Sequence, residues 1–186
     1  MASQRIGKYA CLEVECRYLL NKIPDDLLGS PKGWLITDRY FPNTRLRLRH
    51  MQSLSGDEHI YKLTQKYRSE TQNAYETIIT NMYLTEAEYN HFEALAAKII
   101  KKKRYPYSLP NVSLSIDVFE DRHQGLILAE MELENKAGVD ELALPSFVLK
   151  DVTEDPFFTG GSLMTMTDEE FRQGLSQRLR DQENLS

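Results

Sequence analysis

Residues 45–49 read Arg-Leu-Arg-Leu-Arg, a strict alternation of charged and apolar side chains. A period of two is typical of a β-strand, in which successive side chains point to opposite faces. The two leucines therefore share one face, and Arg45, Arg47 and Arg49 share the other. Neighbouring arginines on that face lie about 6.6 Å apart, where like charges repel by about 2.5 kcal/mol at an effective dielectric of 20. Because a solvated sheet usually mixes signs, this row predicts a bound anion.

Two acidic strands show the same alternation. Their charged faces carry Glu13, Glu15 and Arg17 within residues 11–20, and Glu130, Glu132 and Glu134 within residues 127–134. Carboxylate oxygens bind hard divalent cations, and arginine binds phosphate oxygens. We therefore expect the acidic and basic rows to converge around a metal ion and a polyanion. The charged faces would then line the inside of a barrel and the apolar faces would point outward.

The remaining pattern indicates a mainly β chain with a few helices. Further β-rich stretches lie at residues 61–67, 74–80, 99–107 and 113–120. Thr85 with Glu88, and Thr167 with Glu170, form capping boxes that start two helices. The first helix is expected to continue through Phe92, Leu95, Ala96 and Ile99, and the tail from Arg180 is expected to be loose. About eight strands with so few helices predict an antiparallel sheet or barrel with the helices outside.

Composition places the chain in a broad class. It has 186 residues, a net charge of −5 and a pI near 5.5, so we expect one domain over residues 1–186 and no nucleic-acid partner. No segment approaches the roughly 20 apolar residues that span a bilayer. Cys11 and Cys16 are five apart and would point to opposite strand faces, so we expect no disulfide and a cytoplasmic location. A homodimer is an open option.

The order of these motifs resembles the CYTH, or triphosphate tunnel metalloenzyme, family. The matching motifs span residues 10–163 and precede a C-terminal helix and tail at 167–186. They are Glu13-Val-Glu15-Cys-Arg17, the arginine run 45–49, Leu63-Thr64-Gln65-Lys66, Lys102-Lys103-Arg104-Tyr105, Asp117-Val-Phe119, Gly125-Leu126, Glu130-Met-Glu132-Leu and the segment 151–156. The resemblance implies an eight-stranded antiparallel tunnel with a charged interior and helices packed outside.

The resemblance also implies a function and roles for individual residues. It implies hydrolysis of inorganic triphosphate, or of a related triphosphate such as thiamine triphosphate, with Mg²⁺ or Mn²⁺. Alternatives are an adenylate cyclase of class IV type and a catalytically weak module that binds polyphosphate or nucleotide. The implied roles are catalytic for Glu13, Glu15 and Arg17, substrate-binding for Arg45, Arg47, Arg49, Lys66, Lys102 and Arg104, and metal-binding for Glu15, Glu130, Glu132 and Asp117.

Two positions depart from the family pattern, and one role is ambiguous. Arg17 stands where the family usually has lysine, and arginine is a permanently charged planar fork rather than a mobile point charge. Gln72 stands where an arginine often precedes the strand around Glu76. Asp117 has a second possible role, as the structural partner of an interior arginine.

Overall fold

A computed structural model describes residues 8–68, 74–109, 112–133 and 145–183, which contain nine strands and three helices. The predicted positions of Gln72 and Glu134 lie outside these ranges. The strands are β1 (Cys11–Leu20), β2 (Trp34–Tyr40), β3 (Leu46–Ser53), β4 (His59–Arg68), β5 (Glu76–Leu84), β6 (Lys98–Leu109), β7 (Val112–Phe119), β8 (Ile127–Glu132) and β9 (Val148–Asp151). The helices are α1 (Glu86–Glu93), α2 (Gly160–Thr165) and α3 (Asp168–Glu183).

Eight of these strands close into an antiparallel barrel. The hydrogen-bonded order is β5-β4-β3-β2-β6-β7-β8-β1, and β1 also pairs with β5 to complete the ring. The ninth strand, β9, pairs with β1 beyond the end of β5, with Leu19 opposite Lys150. The predicted eight-stranded barrel with outer helices is therefore confirmed.

The register of the strands places the charged faces inside. Glu15 lies opposite Glu132 and Arg17 lies opposite Glu130 across the β1–β8 pair, and directly opposed residues point to the same face. From Cys16 to Leu20 the outward face of β1 is apolar and buried, and it packs against the outward faces of β7 and β8. That outer cluster contains Cys16, Tyr18, Leu20, Leu114, Ile116, Ala129 and Met131. As predicted, the charged faces therefore point into the barrel and the apolar faces point outward.

Helix α1 begins where its capping box predicts but ends earlier than its spacing suggests. The Thr85 side chain accepts a hydrogen bond from the backbone of Glu88, and the helix ends at Glu93. Leu95, Ala96 and Ile99 are not helical, so that part of the prediction is wrong. The chain instead enters β6 at Lys98, where pairing with β2 replaces the helical hydrogen bonds, and pairing with β7 begins at Lys102.

The C-terminal part of the chain packs at one end of the barrel. Thr167 and Glu170 form the second predicted capping box, and α3 runs to Glu183, beyond the point where a loose tail was expected. Phe171 of α3 packs in one cluster with interior-facing apolar residues at the ends of four strands. These residues are Leu19, Ile100, Phe119 and Leu128. This end of the interior is therefore apolar, and the charged part lies deeper in the barrel.

The structure also bears on the cysteines and on the helices. Cys11 is exposed, Cys16 is buried, and no disulfide joins them. None of the helices in the described ranges is long and apolar enough to cross a membrane.

Candidate active site in the barrel interior

The barrel encloses a cavity of about 1020 Å³. It is bordered by side chains from every strand of the closed ring, because the charged faces all point inward. The predicted site residues that line it are Glu13, Glu15, Arg17, Arg45, Arg47, Arg49, Lys66, Lys102, Arg104, Glu130 and Glu132. Eleven of the twelve predicted residues therefore meet at one cavity, and Asp117 is the exception.

Asp117 lies fully buried behind the cavity wall. Its Oδ1 accepts a hydrogen bond from Arg104 Nε at 2.7 Å, its Oδ2 accepts one from an Arg104 terminal nitrogen at 2.6 Å, and Lys102 also donates to Oδ2. The register explains this pairing, since Arg104 and Asp117 are directly opposed across β6 and β7. With both oxygens occupied by cations, Asp117 matches its structural role rather than its metal-binding one.

Asp38 plays the same part on β2, which β6 separates from β7, and sequence reasoning did not identify it. Its two oxygens accept hydrogen bonds from Arg49 Nε at 2.6 Å and from an Arg49 terminal nitrogen at 2.7 Å. Arg47 Nε lies 3.7 Å from the same carboxylate. Burial alone would raise the pKa of Asp38, but Arg49 and Arg47 outweigh it and hold this pKa far below its usual range. Asp38 is therefore ionised, and its negative charge holds Arg49 in place.

The glutamates form a second, more accessible set of ion pairs. Lys66 Nζ lies 2.8 Å from Glu13 Oε2, and an Arg17 terminal nitrogen lies 2.6 Å from Glu15 Oε1. Glu130 accepts a hydrogen bond from Arg104, and Arg17 Nε lies 3.5 Å from its other oxygen. Arg17 thus bridges two of the carboxylates that the sequence resemblance assigns to catalysis or to metal.

The two central glutamates differ in their affinity for a proton. Burial and the neighbouring charge of Glu130 raise the pKa of Glu15. Burial opposes ionisation of Glu130 too, but Arg104, Lys102 and Arg17 hold the pKa of Glu130 well below its ordinary value. Glu15 is therefore the carboxylate of this pair that accepts a proton more readily.

The arginines of the 45–49 run have three different environments. Arg49 is buried and held by Asp38, whereas Arg45 is exposed with its guanidinium stacked 4.7 Å from the centre of the Tyr67 ring. Arg47 lies between them: one terminal nitrogen donates to Thr64 Oγ1 at 3.2 Å, and its buried Nε has no hydrogen-bond partner. Arg45 and Arg47 both line the cavity, and Arg47 is the partly buried one, with its Nε 3.7 Å from Asp38.

Lysines on the neighbouring strands divide between the two faces of the barrel. Lys101 and Lys103 point outward and pair with Asp121 and Glu120. Lys62 also lines the cavity, near the ring of Tyr83, and it has no ion pair with any residue that the structure describes. Burial, together with Arg49 and Arg47, lowers the pKa of Lys62.

The carboxylates that line the cavity are chemically suited to bind a hard metal ion. Glu13, Glu15, Glu130 and Glu132 contribute carboxylate oxygens to one cavity, and oxygen is the ligand type that Mg²⁺ and Mn²⁺ prefer. Within the described ranges, no three acidic, histidine or cysteine side chains form a cluster that could hold a metal ion. Three of these four glutamates instead face a cation, so metal binding would require their ion pairs to open.

Comparison with known proteins supports the architecture. The sequence matches no protein-family model and no curated protein. Among solved structures, the protein described as the inorganic triphosphatase NE1496 is 21% identical over 83% of this chain and 95% of its own, with a TM-score of 0.56. A second structure, described as hypothetical protein NE1496, gives 23% identity over 83% and 98%, also with a TM-score of 0.56.

A more distant likeness adds nothing to this comparison. It is to HpAC1 from Hippeastrum, described as an adenylyl cyclase candidate with a dominant triphosphatase activity, which is 13% identical over 87% of this chain and 96% of its own. Its TM-score of 0.41 is too low to carry an argument. The closed barrel, the charged interior and the likeness to NE1496 agree on one architecture. The chain therefore has the triphosphate tunnel fold that its motifs predicted.

Proposed function

We propose that the protein hydrolyses inorganic triphosphate, or a closely related triphosphate, in a reaction that depends on a divalent metal ion. One observation carries the proposal: the partly exposed side chain of Arg47 lines the same cavity that Glu13, Glu15 and Glu130 enter as partly accessible carboxylates. A polyanion and a hard cation need these two kinds of group side by side. The likeness to a protein described as an inorganic triphosphatase supports the choice of substrate.

Substrate binding would rest on cations of two kinds. Arg47 and Lys66 have side chains that are 17% and 35% exposed and can reach phosphate oxygens directly. Arg49 and Lys102 are held by buried aspartates, so they would contribute a fixed positive field rather than free donors. Because this field is positioned before the substrate enters, it requires little reorganisation when charge develops on the phosphates.

The proposed metal ligands are Glu15, Glu130 and Glu132, with Mg²⁺ or Mn²⁺ as the ion. When bound, such an ion neutralises charge on phosphate oxygens. We do not carry Asp117 into this set, because Arg104 and Lys102 occupy its oxygens. Glu13 and Glu15, which lie 2.8 and 3.6 Å from Lys66 Nζ, are the proposed groups that orient water or accept its proton.

A panel of triphosphates tests this proposal against its alternatives. Purified protein would be incubated with inorganic triphosphate, thiamine triphosphate or ATP, with Mg²⁺ or Mn²⁺, and all phosphorus products would be separated and quantified. We expect orthophosphate and pyrophosphate from inorganic triphosphate. Pyrophosphate with a cyclic nucleotide from ATP would favour the cyclase, and tight binding without turnover of any substrate would favour a binding module.

The binding module is the second candidate because of the position of Arg17. Its guanidinium contacts Glu15 at 2.6 Å and approaches Glu130 at 3.5 Å, so a permanent charge occupies the place of the family lysine. If that lysine supplied only charge, arginine replaces it without loss. If it took part in chemistry, the native protein should be slow.

We expect Arg17→Lys to change the turnover number by no more than about threefold, because the positive charge at this position is kept. Steady-state hydrolysis of inorganic triphosphate at matched pH and metal concentration measures the effect. A gain of about a hundredfold would correspond to 2.7 kcal/mol of recovered transition-state stabilisation. That result would overturn the expectation and favour the binding module for the native chain.

The proposed location is the cytoplasm, as expected from the sequence. No disulfide joins Cys11 and Cys16, which suits a reducing compartment. The homodimer stays a prediction that gel filtration with light scattering would check.

A further inference from the structure

The ion pairs inside the barrel fall into two classes that differ in exposure. Asp38 and Asp117 have side chains that are 2% and 0% exposed, so each is buried against the cations that it holds. Glu13 and Lys66, whose side chains are 23% and 35% exposed, meet within the cavity itself. The aspartate pairs are therefore fixed, whereas the pair between Glu13 and Lys66 is accessible to entering ligands.

The glutamate pairs occupy the groups that the proposed ligands need. Lys66 donates to Glu13 at 2.8 Å and lies 3.6 Å from Glu15, so its ammonium is engaged by carboxylates before any phosphate arrives. Arg17 engages Glu15 at 2.6 Å in the same way. A metal ion must take carboxylates away from cations, and a triphosphate must take cations away from carboxylates.

We propose that divalent metal and triphosphate bind the tunnel cooperatively, because each ligand opens the internal ion pairs that mask the binding groups of the other. The inference rests on the proposed function, and it concerns how the site is filled rather than what reaction follows. Coupling between two ligands is reciprocal, so the effect has to appear in both directions. The pair of Glu13 and Lys66 is the place to test it, since both side chains are partly exposed and their loss should leave the fold intact.

The first measurement is the affinity for inorganic triphosphate in excess chelator, by titration calorimetry. Glu13→Gln frees Lys66, so we expect this variant to bind metal-free triphosphate up to about fivefold more tightly than the native protein. Glu132→Gln is the matched control, because Glu132 lines the same cavity and forms no ion pair with the described residues. Removal of a negative charge alone would affect both variants, whereas release of a cation affects only the first.

A double-mutant cycle further separates the release of a cation from the simple loss of a negative charge. In a Lys66→Gln background no ammonium remains to be freed, so Glu13→Gln should then leave the affinity for metal-free triphosphate unchanged within about 1.5-fold. A purely electrostatic effect of the lost carboxylate would persist in that background. Thermal unfolding of all variants checks that they are folded.

The second measurement reverses the roles and uses Mn²⁺ alone, followed by electron paramagnetic resonance of the free ion. Lys66→Gln frees Glu13, so we expect Mn²⁺ to bind up to about fivefold more tightly than to the native protein. Lys62→Gln is the control, because Lys62 lines the cavity without an ion pair to a described residue. It should bind Mn²⁺ with an affinity closer to that of the native protein.

The outcomes separate this inference from the function on which it rests. Tightening in both single variants, and none for Glu13→Gln in the double-mutant background, supports the coupling. Weaker or unchanged binding in both single variants, or equal tightening in the controls, rejects the coupling and leaves the proposed function intact. Failure of the native protein to bind inorganic triphosphate and Mn²⁺ when both are present rejects the proposed function and the coupling with it.

Discussion

Asp38→Asn is expected to lower the free energy of unfolding by about 3–5 kcal/mol. The carboxylate is 2% exposed and accepts two hydrogen bonds from Arg49, whose own side chain is 9% exposed. The asparagine keeps the shape but loses the charge, so Arg49 would remain buried without a counter-ion beside Arg47. Urea unfolding at pH 7 measures the difference.

Asp25→Asn is the matched control for this stability change. Asp25 pairs with Lys22 at 3.0 Å on the surface, where both side chains are well exposed. Such a pair contributes about 0–1 kcal/mol, because water screens it. A loss in Asp38→Asn no larger than in this control would contradict the role assigned to Asp38.

The acid limb of stability should also depend on Asp38. Its pKa is lowered in the folded state from about 3.9 when unfolded. The unfolded chain therefore binds more protons between those two values, and stability rises with pH there. The contribution is complete above about pH 4 and is lost as the pH falls towards the folded value. Asp38→Asn should flatten this part of the profile of stability against pH. An unchanged slope would contradict the contribution assigned to Asp38.

Arg47→Ala is expected to raise the Michaelis constant for inorganic triphosphate by about 10- to 150-fold. A charge-assisted contact to phosphate contributes about 1.5–3 kcal/mol, which corresponds to that range. The fold should tolerate the change, because loss of Arg47 also removes its repulsion with Arg49. Initial-rate kinetics over a wide substrate range, with thermal unfolding of the same sample, measure both effects.

Arg39→Ala is the matched control for the kinetic change. Arg39 lies on the outward face of β2 and pairs with Glu93 of α1 at 2.9 Å, so it is an arginine near the site that does not line the cavity. Its loss should leave the Michaelis constant within about twofold of the native value. If Arg47→Ala changes neither the Michaelis constant nor the turnover number, Arg47 does not contact substrate.

The sequence predicted most of the barrel because charge and apolarity alternate clearly along its strands. Strand β2 was missed for a physical reason. Its interior face carries Ile36 beside Asp38, and its outer face carries Thr37 beside Arg39, so neither face is uniformly polar. The pattern of β2 therefore gave no sign of Asp38, although its neighbours in β3, the arginines of the 45–49 run, were the clearest signal in the chain.

The composition of the site was predicted better than its internal connections. Alternation decides which face a side chain occupies, but the opposing residue depends on the register between strands that are distant in sequence. The direct opposition of Arg104 and Asp117 is such a case, and it is what draws Asp117 away from the other carboxylates. The early end of α1 has a similar cause, since the pairing of β6 with β2, which includes Ile99, prevails over the helical spacing.

Phosphorus NMR of inorganic triphosphate tests directly whether the protein hydrolyses it and whether hydrolysis requires a divalent metal ion. Metal-stripped protein would be mixed with the substrate in excess chelator, and Mg²⁺ or Mn²⁺ would then be added above the chelator concentration. We expect no product before the addition, and orthophosphate and pyrophosphate in equal amounts after it. At low substrate concentration, Arg47→Ala should form these products more slowly than the native protein. Equal hydrolysis before and after the addition, or none under either condition, would contradict a metal-dependent triphosphatase.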